Sequence, residues 1–218
     1  MPAARTLTTG TWRAFLSLVL GQRTPLGRLM KSQDIVILLK LISLQEQEQE
    51  QGVERLRLEA QGEDPYSVRN LEASLGISKT EVNESIKRSL ASGIASKDRE
   101  LGRPKPSRRN LFNFIVHGLK FTFPAKPGSM QRGIPTAFAA PMLEGLLMSA
   151  GNYIYVWPHA SGREMGQSVD PLFKSVPEAV QRDDRLYEYL ALCDAIRLGN
   201  QREVSLASER LSTRILGK

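Results

Sequence analysis

The chain predicts an α+β fold that is mainly helical, and three observations carry that prediction. Residues 67–94, SVRNLEASLGISKTEVNESIKRSLASGI, read as two short helices joined by a tight turn, a helix-turn-helix. From Ser175 to Ile215 a second pair of helical stripes is broken at Gly199 and restarted at Asn200, a helical hairpin. Between these regions lie short aromatic and β-branched runs, KFTF and YIYVW, which read as strands.

Taken in order, residues 1–33 contain no Asp or Glu but carry Arg5, Arg13, Arg23, Arg28 and Lys31 around a short apolar run from Ala14 to Leu20. The run is short for a secretory signal, LGQRTPLG after it offers no small-residue cleavage site, and no stretch has the apolar length that spans a bilayer. An organellar presequence would share the absence of acids, but the rest of the chain looks bacterial. Residues 1–31 are expected to be a basic extension, flexible or loosely docked. From Ser32, the positions Ile35, Leu38, Leu39 and Ile42 define one helix face, and Val36, Ile37 and Leu41 make the helix apolar nearly all round, hence buried on most sides. QEQEQEQG, residues 45–52, either prolongs this helix or forms a surface insertion, and no chemistry is assigned to it. VERLRLE, residues 53–59, fits a strand or more helix.

In the helix-turn-helix, Ser67 caps a first helix that buries Val68, Leu71 and Leu75. Gly76 supplies the left-handed helix end, Ile77 drops between the helices, and Ser78 with Glu81 forms a capping box for the second helix. Val82, Ile86 and Leu90 give that helix a buried stripe, leaving Lys79, Thr80, Asn83, Lys87 and Arg88 on other faces. After Ile94 comes a long basic loop, SKDRELGRPKPSRR, with Lys97, Arg99, Arg103, Lys105, Arg108 and Arg109 against Asp98 and Glu100. Such cations supply sequence-independent affinity for phosphate. Within the loop, Gly102-Arg103-Pro104 resembles the core of minor-groove AT-hooks.

Beyond the loop, Ser107 is placed to cap a helix to Gly118, with Leu111, Phe112, Phe114 and Ile115 on its buried side, before a KFTF strand at 120–123. PAKPGSMQRGIPTAFAAP, residues 124–141, is too apolar for a simple linker and reads as an ordered loop laid on the core or a groove-forming surface. MLEGLLM predicts a short helix, YIYVW a strand, and HASGREMG a turn before another extended piece. Ser175 and Glu178 have capping-box spacing, and Leu186, Tyr189, Leu190, Cys193 and Ile196 continue a helical stripe. Asn200 and Glu203 restart a last helix with Val204, Ala207, Leu211 and Ile215 on one side.

The order L-G-I-S from Leu75 to Ser78, with Ala73 small enough for close helix crossing, resembles the bacterial winged-helix transcription regulators of the MarR-like and ArsR-like kind. The resemblance covers Ser67 to Ile94 and the basic stretch after it, about a third of the chain. It implies a winged helix-turn-helix DNA-binding domain over 32–123, with the helix from Ser32 packed behind the motif and a recognition helix at 78–91 entering the major groove. The basic wing-like loop at 97–109 would reach the neighbouring minor groove. The DNA contacts it implies are Ser78, Lys79, Thr80, Asn83, Glu84, Lys87 and Arg88 on the helix. In the loop they are Lys97, Arg99, Arg103, Lys105, Arg108 and Arg109. The chain departs from the pattern at the wing, where a long loop and then a helix are expected in place of a compact β-hairpin. Regulators of this kind dimerise through terminal helices, so residues 124–218 are expected to provide a homodimer or partner surface.

Composition agrees with contact to nucleic acid: 218 residues carry a net charge of +7 and a pI near 9.7. One cysteine rules out an internal disulfide or a cysteine-rich zinc site, and it points to a reducing compartment, cytoplasm or nucleoid. Cys193, among Leu190, Leu192 and Ile196, reads as a buried structural thiol. No phosphate-binding glycine loop, metal-spaced set or nucleophile elbow is present, so neither a cofactor nor a catalytic site is expected. Asp183 and Asp184 are explained by a helix N-terminus, and His117 and His159 as satisfied or exposed side chains. Two function classes follow: a regulator bound to double-stranded DNA, controlling its own operon, or an antitoxin-like module docking an operon-encoded protein through Pro124 to Pro141.

Overall fold

The computed structural model describes residues 29–52, 64–145 and 153–217. Most of the basic extension, the VERLRLE segment and the end of MLEGLLM lie outside the described residues. The architecture is α+β and mainly helical, and among the described residues no helix is long and apolar enough to cross a membrane.

Helix α1 (Ser32–Gln51) is the centre of the fold. Ile35, Leu39, Leu41 and Ile42 are fully buried, and the neighbouring positions on every other face through Leu44 are buried too. The glutamine-glutamate repeat prolongs this helix until Gly52, at φ +82°, ends it. Against it pack α3 (Lys79–Ala91), α4 (Arg108–His117) and α7 (Asp184–Leu198), with α2 (Val68–Leu75) on α3, α8 (Gln201–Leu216) on α4 and α7, and short helices α5 (Leu119–Thr122) and α6 (Val176–Ala179). Ser67 caps α2, Gly76 ends it in the left-handed region, and Ser78 caps α3, as the residue order predicts. The box at Asn200 and Glu203 starts α8.

Four expectations are corrected. The basic loop is a two-stranded antiparallel hairpin, β1 (Ala95–Lys97) with β2 (Pro104–Pro106), in the register Ala95↔Pro106 to Lys97↔Pro104. Asp98 closes its turn: its carboxylate accepts from the Glu100 and Leu101 amides at 3.0 Å, and its own amide donates to Arg103 O at 2.8 Å. KFTF is not a strand but the helical turn α5. Its amides bond back along the chain, Phe121 and Thr122 to Gly118 O and Phe123 to Leu119 O. The proline-rich stretch is laid on the core, the first of its two readings, with Ile134, Ala137 and Ala140 buried, but it holds a strand, β3 (Met130–Thr136), where a loop is expected. Ser175 does not cap a long helix; the chain restarts at Asp183, whose carboxylate accepts from the Leu186 amide at 3.0 Å and caps α7.

Strand β3 pairs antiparallel with both β4 (Tyr155–Pro158) and β5 (Glu164–Ser168), which meet each other in parallel at Tyr155↔Gln167 and Val156↔Ser168. The three strands close into a small barrel. Closure this tight demands glycine, because a Cβ on Gly133 would lie 2.1 Å from Trp157 O and one on Gly166 2.5 Å from Ile154 O. Buried Asp194 on α7 anchors the barrel by accepting from Trp157 Nε1 at 2.7 Å, Thr136 Oγ1 at 3.0 Å and Arg197 at 2.6 Å. One cluster of buried side chains runs from α1 through α2 and α3 to the barrel, α7 and α8, so the core does not divide at residue 124. Ala207, Leu211 and Ile215 are fully buried, α8 packing on α7 and α4. The stripe expected to form a dimer surface is therefore covered by its own chain.

Lys40 Nζ donates to Asp183 at 2.9 Å and Ser43 Oγ to the same carboxylate at 2.8 Å, all three side chains being buried. Asp183→Ala leaves Lys40 buried without a counter-charge and uncaps α7. We expect a loss on the order of 3 kcal/mol in urea unfolding, the scale for breaking a buried pair; a loss below about 1 kcal/mol, typical of exposed pairs, would contradict this.

Candidate nucleic-acid interface

The geometry of α3 follows from a charge on α1. Asp34 is fully buried near the start of α1, and a buried carboxylate needs a partner. Arg88 supplies it in bidentate form, Nε to Oδ2 at 2.9 Å and Nη2 to Oδ1 at 2.6 Å. The Asp34 hydrogen bonds hold the guanidinium above its ordinary pKa. At the other end of α3, Glu81 accepts from Gln33, and from Lys31 at 3.4 Å. The buried face of α3 is thus Val82, Ser85, Arg88 and Ser89, while Ile86 and Leu90 are only half-buried. Arg88, expected among the DNA contacts, is 5% exposed and belongs to the core.

The same rotation exposes Thr80, Asn83 and Lys87 along one face of α3, with Ser78 and Lys79 at its start. Ser78 Oγ is occupied as the cap. Lys87 pairs with half-exposed Glu84 at 2.8 Å, and Lys79 lies 3.7 Å from Glu72. Exposed pairs of this kind contribute little to stability, so the lysines can exchange carboxylate for phosphate at small cost. Glu84 therefore restrains Lys87 rather than offering a contact of its own. Among the described residues Asn83 has no hydrogen-bond partner, leaving both its donor and its acceptor open.

The hairpin follows the end of α3 and is anchored by buried Ile94, Ala95 and Pro106. Its cations divide into two groups. Lys97, Arg99 and Lys105 are exposed, as is Arg109 in the first turn of α4. Arg103 instead turns inward: Nη2 lies 3.0 Å from Asp64 and Nη1 3.7 Å from Glu48, with its guanidinium 4.6 Å over the Tyr66 ring. Tyr66 donates to Glu48 at 2.6 Å, and burial with Glu48 beside it pushes the phenol well above its ordinary pKa. The AT-hook-like arginine is therefore a structural pin. Arg108 is another, donating to Glu46 at 3.1 Å and to Ile215 O at 2.9 Å.

The glutamates of the repeat thus do chemistry that the sequence reading did not assign. Glu46 and Glu50, one turn apart, face Arg108, Arg185, Arg214 and Tyr189, while Glu48 holds Tyr66 and Arg103. Carboxylates at i and i+4 at the end of an apolar helix were the available signal. Cys193 is fully buried, and burial raises its thiol far above the reactive range. His117 is exposed, and His159 forms a local turn with Ser161, Nδ1 to Oγ at 2.7 Å. Comparison of the chain with protein-family models, with curated proteins and with solved structures finds no match.

Because Arg88 is structural, Arg88→Ala should cost about 3–5 kcal/mol in urea unfolding by stranding Asp34. The paired replacement Asp34→Leu with Arg88→Met should recover most of that loss. A stable Arg88→Ala protein with altered DNA binding alone would return Arg88 to the interface.

Proposed function

We propose that the chain is a sequence-specific DNA-binding transcription regulator of winged-helix type, acting as a repressor of its own operon. The observation that carries this reading is the exposed stripe Thr80, Asn83 and Lys87 on a helix clamped from behind by the Asp34–Arg88 pair. A reading helix must present open donors and acceptors on a rigid support, and Asn and Lys are side chains that match base edges in the major groove. The hairpin β1–β2 is read as the wing, its Lys97, Arg99 and Lys105 meeting phosphates without regard to sequence. Arg109 extends the same basic surface. The reading also fits the excess of positive charge, since the exposed cations are left over after the internal carboxylates are satisfied.

Variants separate base reading from grip. Asn83→Ala or Lys87→Ala should weaken a cognate duplex from the upstream region by about 1–3 kcal/mol and random duplex little. The triple change of Lys97, Arg99 and Lys105 to Gln should weaken both alike and reduce the dependence of log K on log salt by about 0.9 per contact. Salt-independent binding by the unmodified protein, or equal losses on all sequences for Asn83→Ala, would contradict the proposal.

A further inference from the structure

The C-terminal half reaches the helix-turn-helix at its turn. Ser175 Oγ donates to Leu75 O, the last residue of α2, and Arg182 Nη1 donates to Ala73 O at 3.4 Å. The approach is close enough that a Cβ on Gly76, already at φ +65°, would lie 3.0 Å from Ser175 Cβ. Residues 174–182 therefore lie along the end of α2, beside the turn that leads into Ser78 and α3.

This segment has a fixed inner face and a charged outer one. Val176, Pro177, Ala179 and Val180 are buried, whereas Lys174, Glu178 and Arg182 are exposed. Its acid is turned elsewhere, Glu178 Oε1 lying 3.8 Å from His159 Nε2. The next acid, Asp183, is buried on Lys40 and Ser43, and Asp184 is exposed in the first turn of α7. Among the described residues neither Lys174 nor Arg182 has an ion-pair partner. Two exposed cations, without an ion-pair partner among the described residues, thus belong to the segment beside the turn that leads into α3, and the hairpin cations follow the other end of that helix.

A helix lying in a major groove has a phosphate backbone on either side of it, and contacts to those backbones set its position. Building on the DNA-binding reading above, we propose that Lys174 and Arg182 form a second phosphate-contacting site, gripping the backbone at the N-terminal end of α3 while the hairpin grips at the other. The sites come from opposite halves of the chain and together fix the depth and angle of α3.

The test is the full-length double variant Lys174→Gln/Arg182→Gln, titrated against a labelled upstream duplex between about 50 and 200 mM salt. Its log K against log salt slope should be shallower than that of the unmodified protein by about 2, the value for two lost phosphate contacts, with thermal unfolding unchanged. Removing two charges at Lys126 and Arg132, exposed on the barrel side, should leave the slope as it was. An unchanged slope for Lys174→Gln/Arg182→Gln, or an equal drop for the barrel variant, overturns the second site while leaving the reading of α3 and the hairpin intact. No duplex binding by the unmodified protein overturns both.

Discussion

Charges carried on a buried helix must be neutralised where they stand, and in this protein that requirement falls on α1. The helix is enclosed through Leu44, yet it brings Asp34 and Lys40 into the interior and Glu46 and Glu48 to its edge. Each is met by a partner from a different element: Arg88 from α3, Asp183 from the cap of α7, Arg108 from α4, and Arg103 from the hairpin turn. Hydrophobic burial alone is non-directional and would leave these elements free to slide or rotate. The ion pairs specify register and rotation instead. Breaking any one of the buried pairs strands a charge, which makes the arrangement cooperative.

That requirement also decides which cations face outward. Of the basic residues from α3 to the start of α4, Arg88, Arg103 and Arg108 are consumed by α1, and Lys79, Lys87, Lys97, Arg99, Lys105 and Arg109 are not. The consumed ones are all arginines, whose planar fork suits bidentate or stacked internal contacts, while lysines dominate outside. The exposed cations are thus the ones left after internal neutralisation, and Lys79, Lys87 and Lys105 among them lie beside surface carboxylates.

Much of the helical framework was legible because its signals are local. Ser67, Gly76, Ser78, Asn200 and Glu203 act within a turn of where they stand, and the apolar wrap of α1 needs no knowledge of its neighbours. The strands were harder because proline hides them. Pro104, Pro106 and Pro135 sit inside paired segments, where sequence rules expect loops. The place of Arg88 on α3 was misread for another reason. Val82, Ile86 and Leu90 do pack on the core, but Arg88 joins that face by reaching a carboxylate 54 positions earlier, an interaction no local pattern encodes. The same holds for Arg103 and Arg108, which look like free cations until Asp64, Glu48 and Glu46 are placed beside them.

The most direct test of the proposed DNA-reading surface is an amide chemical-shift map of the isotope-labelled protein, titrated with a duplex from its own upstream region. The proposal predicts perturbations at Ser78 to Lys87 and at Ser96 to Lys105, with the exposed side of α8 silent. Shifts concentrated on α8 or the barrel with α3 unmoved, or no shifts at all, would contradict it.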